Sequence, residues 1–248
     1  GDLLRTRAAG GHDGQMGGEA MSRLPEIPVL YEDNHLLVVV KPVNVPSQED
    51  ASGDPDMLTL LKADLKRRHN KPGNVFLGLV HRLDRPVGGV MVFAKTSKAA
   101  SRLSEQVRSR RLAKTYMAVV HGTPDPAAGL LRHYLVKDRA SNTVRTAAKS
   151  EPGALEALLE YETAGAERSL SLVRIRLHTG RPHQIRVQMA AVGCPLYGDG
   201  KYGAPSGRSG RPLALWSAAL GFEHPTTKEA LLFRSAPPRS HPWNLWPE

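Results

Sequence analysis

Three short segments of this chain hold the residue types that acid–base and nucleophilic chemistry needs. The first is His81-Arg82-Leu83-Asp84-Arg85, running into Gly88-Gly89. An aspartate between two arginines is kept ionised by the neighbouring positive charge. Such a carboxylate is a poor general acid and a better nucleophile or base. The glycines after it let a substrate or another backbone approach closely. An ordinary ion pair in a surface turn would produce the same string. The second segment, Thr179-Gly180-Arg181-Pro182-His183-Gln184-Ile185-Arg186, puts a tight turn, unpaired amides and polar side chains at one helix start, which suits an anion. A capped helix with a solvated face explains it equally well. The third is Tyr116 in Lys114-Thr115-Tyr116-Met117-Ala118-Val119-Val120. On a strand it points away from Thr115 and Met117; core packing is the plain explanation and a base-stacking platform the functional one.

The elements around these segments are mixed. Leu36 to Val40 reads as a buried strand stopped by Lys41-Pro42, and Gly89 to Lys95 as another. Asp54-Pro55 caps a helix carrying Leu58, Leu61 and Leu65. Ser97 caps a second whose Ala100, Leu103 and Val107 face inward. Thr115 to His121 and Leu170 to Leu177 are strands, the latter with Arg174 and Arg176 on one face. Pro182 starts a third helix with Ile185, Met189 and Val192 on its buried side, and Gly193 stops it. Strands and helices without regular βαβ spacing predict an α+β domain with a mixed sheet. The glycine-rich residues 1–24 read as a flexible leader and about 25–236 as one folded domain. From 237 to 248 runs a proline-rich tail, without regular structure, that Trp243 and Trp246 could pin to the body.

The 248 residues carry a net charge of +10, with 40% apolar residues. That composition excludes global disorder and favours a polyanionic partner. The segment Lys98 to Lys114, read as a basic helix, sets Lys98, Arg102, Arg108, Arg110, Arg111 and Lys114 against Glu105 alone. Phosphate neutralisation is one use for it, a solvated face the ordinary one. Lys62 to Lys71, and Lys201, Arg208 and Arg211 in a glycine-rich loop, are further basic stretches. No apolar run is long enough to span a bilayer. With Cys194 alone and no HExxH, a zinc centre is not expected. Gly-x-Ser-x-Gly, the P-loop and GxGxxG are missing too. Any chemistry is expected to be free of metal and cofactor, in a reducing cytoplasm.

Together these segments resemble the RluA family of RNA pseudouridine synthases over roughly residues 27–235. The matching pieces are Leu36 to Pro42, His81-Arg82-Leu83-Asp84, Gly89 to Thr96, Lys114 to Gly122, Thr179 to Val187 and Pro195 to Gly203. His-Arg-Leu-Asp followed downstream by His-Gln-Ile-Arg is the specific combination. The resemblance implies a mixed, largely antiparallel sheet split by a central catalytic cleft and flanked by helices. It also implies isomerisation of uridine to pseudouridine in structured RNA, rRNA or tRNA, without metal or organic cofactor. The family's catalytic aspartate falls on Asp84 and its active-site tyrosine on Tyr116, whose ring would stack on the base and whose phenol could assist proton removal. Its basic partner falls on Arg186, expected to pair with Asp84.

For RNA contact, Arg82, Arg108, Arg110, Arg111, Arg181 and His183 are singled out. Pro86-Val87-Gly88-Gly89 replaces the family's usual Thr-Ser-Gly after the aspartate, and Asn44 stands near its usual glycine. The leader is too short for an S4-type RNA-binding domain, so substrate choice falls to the catalytic domain. A monomer without protein partners is expected. A non-catalytic RNA-binding or ribosome-assembly factor on the same scaffold is the alternative, opposed by the joint presence of Asp84, Tyr116 and Arg186. A hydrolase with an aspartate nucleophile is a third, which would have no need of the basic surface.

Overall fold

The computed structural model describes residues 24–203 and 211–247. The expected leader, Leu24 apart, and Arg208 of the basic loop lie outside the described residues. The elements are β1 (Val29–Glu32), β2 (Leu36–Lys41), α1 (Met57–Arg68), β3 (Gly78–Leu79), β4 (Gly88–Ala94), α2 (Ser97–Arg108), β5 (Ala113–His121), β6 (Ala128–Asp138), β7 (Thr143–Ala147), β8 (Leu155–Glu167), β9 (Leu170–Leu177), α3 (Gln184–Ala191), β10 (Leu215–Glu223) and β11 (Ala230–Arg234), then a 3₁₀ turn at Trp243–Leu245.

All described strands join one sheet in the order β1-β2-β4-β10-β5-β9-β8-β6-β7, with β3 added to β4 and β11 to β10. The pairings are antiparallel except β4 with β10, which is parallel and spans only Gly88 opposite Trp216 and Gly89 opposite Ser217. This is the expected α+β fold with a mixed, largely antiparallel sheet. The short seam explains the glycine pair. A Cβ on Gly89, whose φ is +123°, would lie 2.2 Å from the Ser217 carbonyl oxygen, and one on Gly88 would lie 2.5 Å from the Trp216 ring. The glycines after Asp84 therefore admit another backbone, that of β10.

β2 and β4 are buried on both faces, which is why they read as continuous apolar runs rather than alternating ones. Leu37, Val39, Met91 and Phe93 face a core shared with Leu61 and Leu65 of α1 and Ile185 and Met189 of α3. Leu36, Val38, Val90 and Val92 face the opposite side, covered by Ala99 and Leu103 of α2. The helices thus sit on both sides of the sheet.

Several boundaries differ from the sequence reading. The cap of α1 is Asp56, whose Oδ2 accepts the Thr59 N–H at 3.1 Å, because the turn through Asp54-Pro55 comes first. Thr96, not Ser97, caps α2, its Oγ1 accepting from Ala99 at 3.1 Å. The basic helix stops at Arg108, where Arg110 turns into the left-handed region with φ 58°; Lys114 belongs to β5. On α3, Val192 is exposed because it lies past the last helical turn. The tail does form a short 3₁₀ turn, in which Trp243, Leu245 and Trp246 pack against Val119, Leu170, Tyr197 and Ala214.

Candidate active site

Beside the β4–β10 seam opens a cleft of about 850 Å³, lined by the Asp84 loop, the end of α2, the start of β5 and the turn into α3. Asp84 lies between β3 and β4, and every neighbour of it is tethered. Ser47 Oγ donates to the Leu83 carbonyl at 2.6 Å and accepts the Leu83 N–H at 3.1 Å. The Arg85 carbonyl accepts from Lys41 Nζ at 3.0 Å and from the Asn44 N–H at 2.8 Å. The Asp84 carbonyl closes a turn by accepting from Val87 N–H at 2.9 Å. Asn44 occupies the left-handed region, φ 64°, as its place near the family's glycine requires. The Asp84 side chain is exposed to the cleft, and among the described residues it forms no ion pair. Its backbone is fixed while its carboxylate is left open.

Lys41 is fully buried with only carbonyl partners, those of Pro42 and Arg85. Burial pulls its ammonium down to about 7 against the upward pull of Asp84. His81 is part-buried; burial, and the Lys114 charge after it, lower it to about 3. It is therefore neutral, and since its Nε2 accepts the Val92 N–H at 3.1 Å, the ring proton sits on Nδ1. That bond fixes the segment leading into Asp84 to β4.

Tyr116 lines the cleft from β5 and is almost wholly buried. Burial first, then the Asp84 charge, push its phenol well above the ordinary range. The hydroxyl is therefore neutral in the resting site and senses Asp84.

Arg186 lines the same cleft, but the expected ion pair with Asp84 is not formed. Its Nε donates to Asp199 Oδ2 at 3.0 Å and its Nη2 to Asp199 Oδ1 at 2.8 Å. This two-pronged geometry is the strongest an arginine makes, and Asp199 is fully buried. Burial works against the charges of both partners, yet the pairing raises Arg186 and lowers Asp199. Asp84 also acts on Arg186 electrostatically, so the guanidinium lies near it without touching it. Asp199 Oδ1 further accepts the N–H groups of Lys201 and Tyr202, both at 3.1 Å. The Tyr202 ring packs 5.0 Å from the Arg186 guanidinium carbon, and its hydroxyl lies 2.6 Å from His183 Nδ1 and accepts the Val144 N–H at 2.9 Å.

The residues expected to contact RNA divide. Arg82, Arg108, Arg110, Arg181 and His183 line the cleft, and Arg111 does not. Arg108 is paired with Glu105, and Arg181 Nε donates to the Glu156 carbonyl at 2.8 Å. Arg111 Nε donates to Ser109 Oγ at 2.9 Å. The helix expected from Pro182 begins at Gln184, because His183 is left-handed with φ 52°. Sequence reasoning assigned no role to Ser47, Asp199 or Tyr202; the one signal for the latter two was the polar, glycine-rich block Pro195 to Gly203.

The chain matches the RNA pseudouridylate synthase family over residues 35–191. It is 34% identical to the uncharacterized RNA pseudouridine synthase YhcT of Bacillus subtilis, over 86% of this chain and 70% of that one. It is also 34% identical to the dual-specificity RNA pseudouridine synthase RluA of Escherichia coli K12, over 85% of this chain and 93% of that one. Among solved structures, human RNA pseudouridylate synthase domain containing 4 superposes with a TM-score of 0.73 at 24% identity, covering 89% of this chain and 91% of that one. That likeness is one of fold.

Proposed function

Since the chain belongs to the RNA pseudouridylate synthase family and isomerises uridine to pseudouridine in RNA, we propose that Asp84 is its catalytic carboxylate and that Tyr116 and Arg186 complete the site. In the reaction the N1–C1′ bond breaks, the uracil turns, C5 bonds to C1′, the C5 proton leaves and N1 takes up a proton. The observation that carries the assignment is the open carboxylate of Asp84 on a backbone tethered from both sides. A nucleophile or base must reach the nucleotide without first leaving an ion pair, and Asp84 meets that condition. It acts either as nucleophile at C1′ or C6 or as base at C2′.

Tyr116 supplies a ring for the extruded base, since a target inside a helix must leave its stack. A neutral phenol accepts the C5 proton only while passing its own on, so Tyr116 acts as a relay. Arg186, held by Asp199, adds positive charge beside Asp84. The basic cleft wall, with Arg82 and Arg110 unpaired among the described residues, fits a phosphate backbone.

We propose further that the substrate is a structured rRNA or tRNA and that the protein acts in the cytoplasm as a monomer. The relatives' names as RNA pseudouridine synthases and the basic surface support an RNA substrate; no described helix is long and apolar enough to cross a membrane. The test is to incubate purified protein with rRNA and tRNA lacking modifications and to map pseudouridine at nucleotide resolution. Conversion at one or a few defined uridines is expected; RNA binding without conversion would support the assembly-factor alternative.

A further inference from the structure

Of the lysines and arginines that line the cleft, Arg85, Arg108, Arg181 and Arg186 have side-chain partners, and Arg82, Arg110, Lys114 and Lys137 have none among the described residues. Arg186 is held by Asp199, Arg108 by Glu105, Arg85 by Asp54 and Arg181 by the Glu156 carbonyl. Lys114 differs. It lies on β5 two residues before Tyr116, on the same face of the strand, and lines the cleft. Its side chain is largely buried, and burial alone lowers its ammonium, with neither a carboxylate nor a hydrogen bond to offset it. Asp84 acts electrostatically on Lys41, Tyr116, His183, Arg186 and Tyr202, and Lys114 lies outside that group. Its charge is felt instead by His81, which stays neutral.

The ammonium rests against the turn into α3, where a Cβ on Gly180 would come within 2.9 Å of Lys114 Nζ. Glycine at that position leaves the ammonium room to face the cleft. An ammonium offers three donors and no acceptor, and burying it without an anion is costly. An incoming ligand must therefore bring the anion.

We propose that Lys114 is a substrate-binding residue that takes the phosphate of the target nucleotide. The inference rests on the assignment of the cleft to uridine isomerisation. The only anionic groups of the substrate before reaction are its phosphates, since uracil is neutral until the N1–C1′ bond breaks. Two residues along a strand span about 6.7 Å, so a base lying on Tyr116 would place its own nucleotide's phosphate at the level of Lys114.

The test compares wild type with Lys114→Met, which keeps the length of the side chain and removes the charge. A thermal melt reports folding, and removal of a buried unpaired ammonium is expected to leave the midpoint equal or higher. RNA affinity is measured against salt, and the saturating single-turnover rate of pseudouridine formation is measured on the same RNA. Lys114→Met is expected to bind about tenfold more weakly, with a log–log salt slope shallower by roughly 0.7, while its saturating rate stays within about threefold. An RNA with a neutral methylphosphonate at the target nucleotide should weaken wild-type binding but not binding by Lys114→Met. Unchanged affinity and slope would overturn the proposal, as would a loss confined to the saturating rate, which would assign the ammonium to the uracil anion. So would equal sensitivity of both proteins to the methylphosphonate. Wild-type turnover in the same assay reports separately on the isomerase assignment itself.

Discussion

Two aspartates act on Arg186 and have opposite surroundings. Asp199 is fully buried and accepts from Arg186 Nε and Nη2 and from the N–H groups of Lys201 and Tyr202. Asp84 is exposed to the cleft and, among the described residues, is in no ion pair; what is fixed is the backbone on both sides of it. A saturated carboxylate has no lone pair left for a substrate and holds structure in place. A carboxylate that owes its position to its neighbours' bonds keeps its own oxygens for chemistry. Arg186 is shared between these roles: Asp199 holds it physically, and Asp84 receives its field.

The comparison breaks first at Tyr116. Tyr116→Phe keeps the ring and removes the hydroxyl, so a relay role predicts a single-turnover rate lower by about 10²–10⁴-fold with unchanged RNA affinity. Tyr116→Ala should also lose about 1–3 kcal/mol of RNA binding. An unchanged rate in Tyr116→Phe would reduce the residue to stacking alone.

The tether on the Asp84 segment has a pH signature. His81 is lowered from 6.5 to about 3 in the fold, so between these values the unfolded chain binds the extra proton and stability falls as pH falls. Glu32 is lowered from 4.5 to about 2: burial opposes its charge, and hydrogen bonds from Arg68, Lys95 and His69 outweigh it. Its stabilisation is present above the unfolded value and is lost as pH drops toward the folded one. Each group costs up to about 1.4 kcal/mol per pH unit inside its window. His133 and His183, also lowered from 6.5 by burial, cost stability in the same window, so melts of His81→Asn should show a smaller loss than wild type between pH 6.5 and 4.5 and an unchanged loss below it; identical profiles would remove His81 from this role.

Ser47→Ala takes away both bonds to Leu83 and should cost about 1–3 kcal/mol of stability. Because the loop that aims Asp84 is loosened, kcat should fall more than KM rises. The smallest effect concerns Arg108, Arg110 and Arg111. With Arg108 held by Glu105 and Arg111 off the cleft wall, replacing all three should lower the salt slope of RNA binding by only roughly 0.7, one phosphate contact. Arg110→Ala alone should match the triple variant. A change about twice as large would show that Arg108 leaves Glu105 for RNA, and one about three times as large that Arg111 contacts it as well.

What the sequence revealed follows the range of each interaction. β2, β4 and β9 were legible because burial writes itself into local patterns: continuous apolar runs in the first two, alternation in the third. Asp84, Tyr116 and Arg186 were legible through their motifs, and all three line one cleft. The partner of Arg186 was not, because Asp199 is brought to it by the loop after α3, whereas the resemblance pointed to Asp84. Lys114 was counted with the helix before it, since the break at Arg110 depends on a left-handed residue that is not glycine. The seam behind Gly88-Gly89 depends on β10, more than a hundred residues downstream, and no local pattern reports such a pairing.

The difference between the two carboxylates is tested most directly by Asp84→Asn and Asp199→Asn side by side, each assayed for single-turnover pseudouridine formation and for unfolding free energy. Asp84→Asn should make no detectable pseudouridine while its stability stays within about 0.5 kcal/mol of wild type, as for a position without buried partners. Asp199→Asn should lose about 3–5 kcal/mol of stability, because the buried Arg186 charge is stranded, and retain measurable turnover wherever it remains folded. Appreciable turnover by Asp84→Asn, or loss of turnover without loss of stability in Asp199→Asn, would contradict the account.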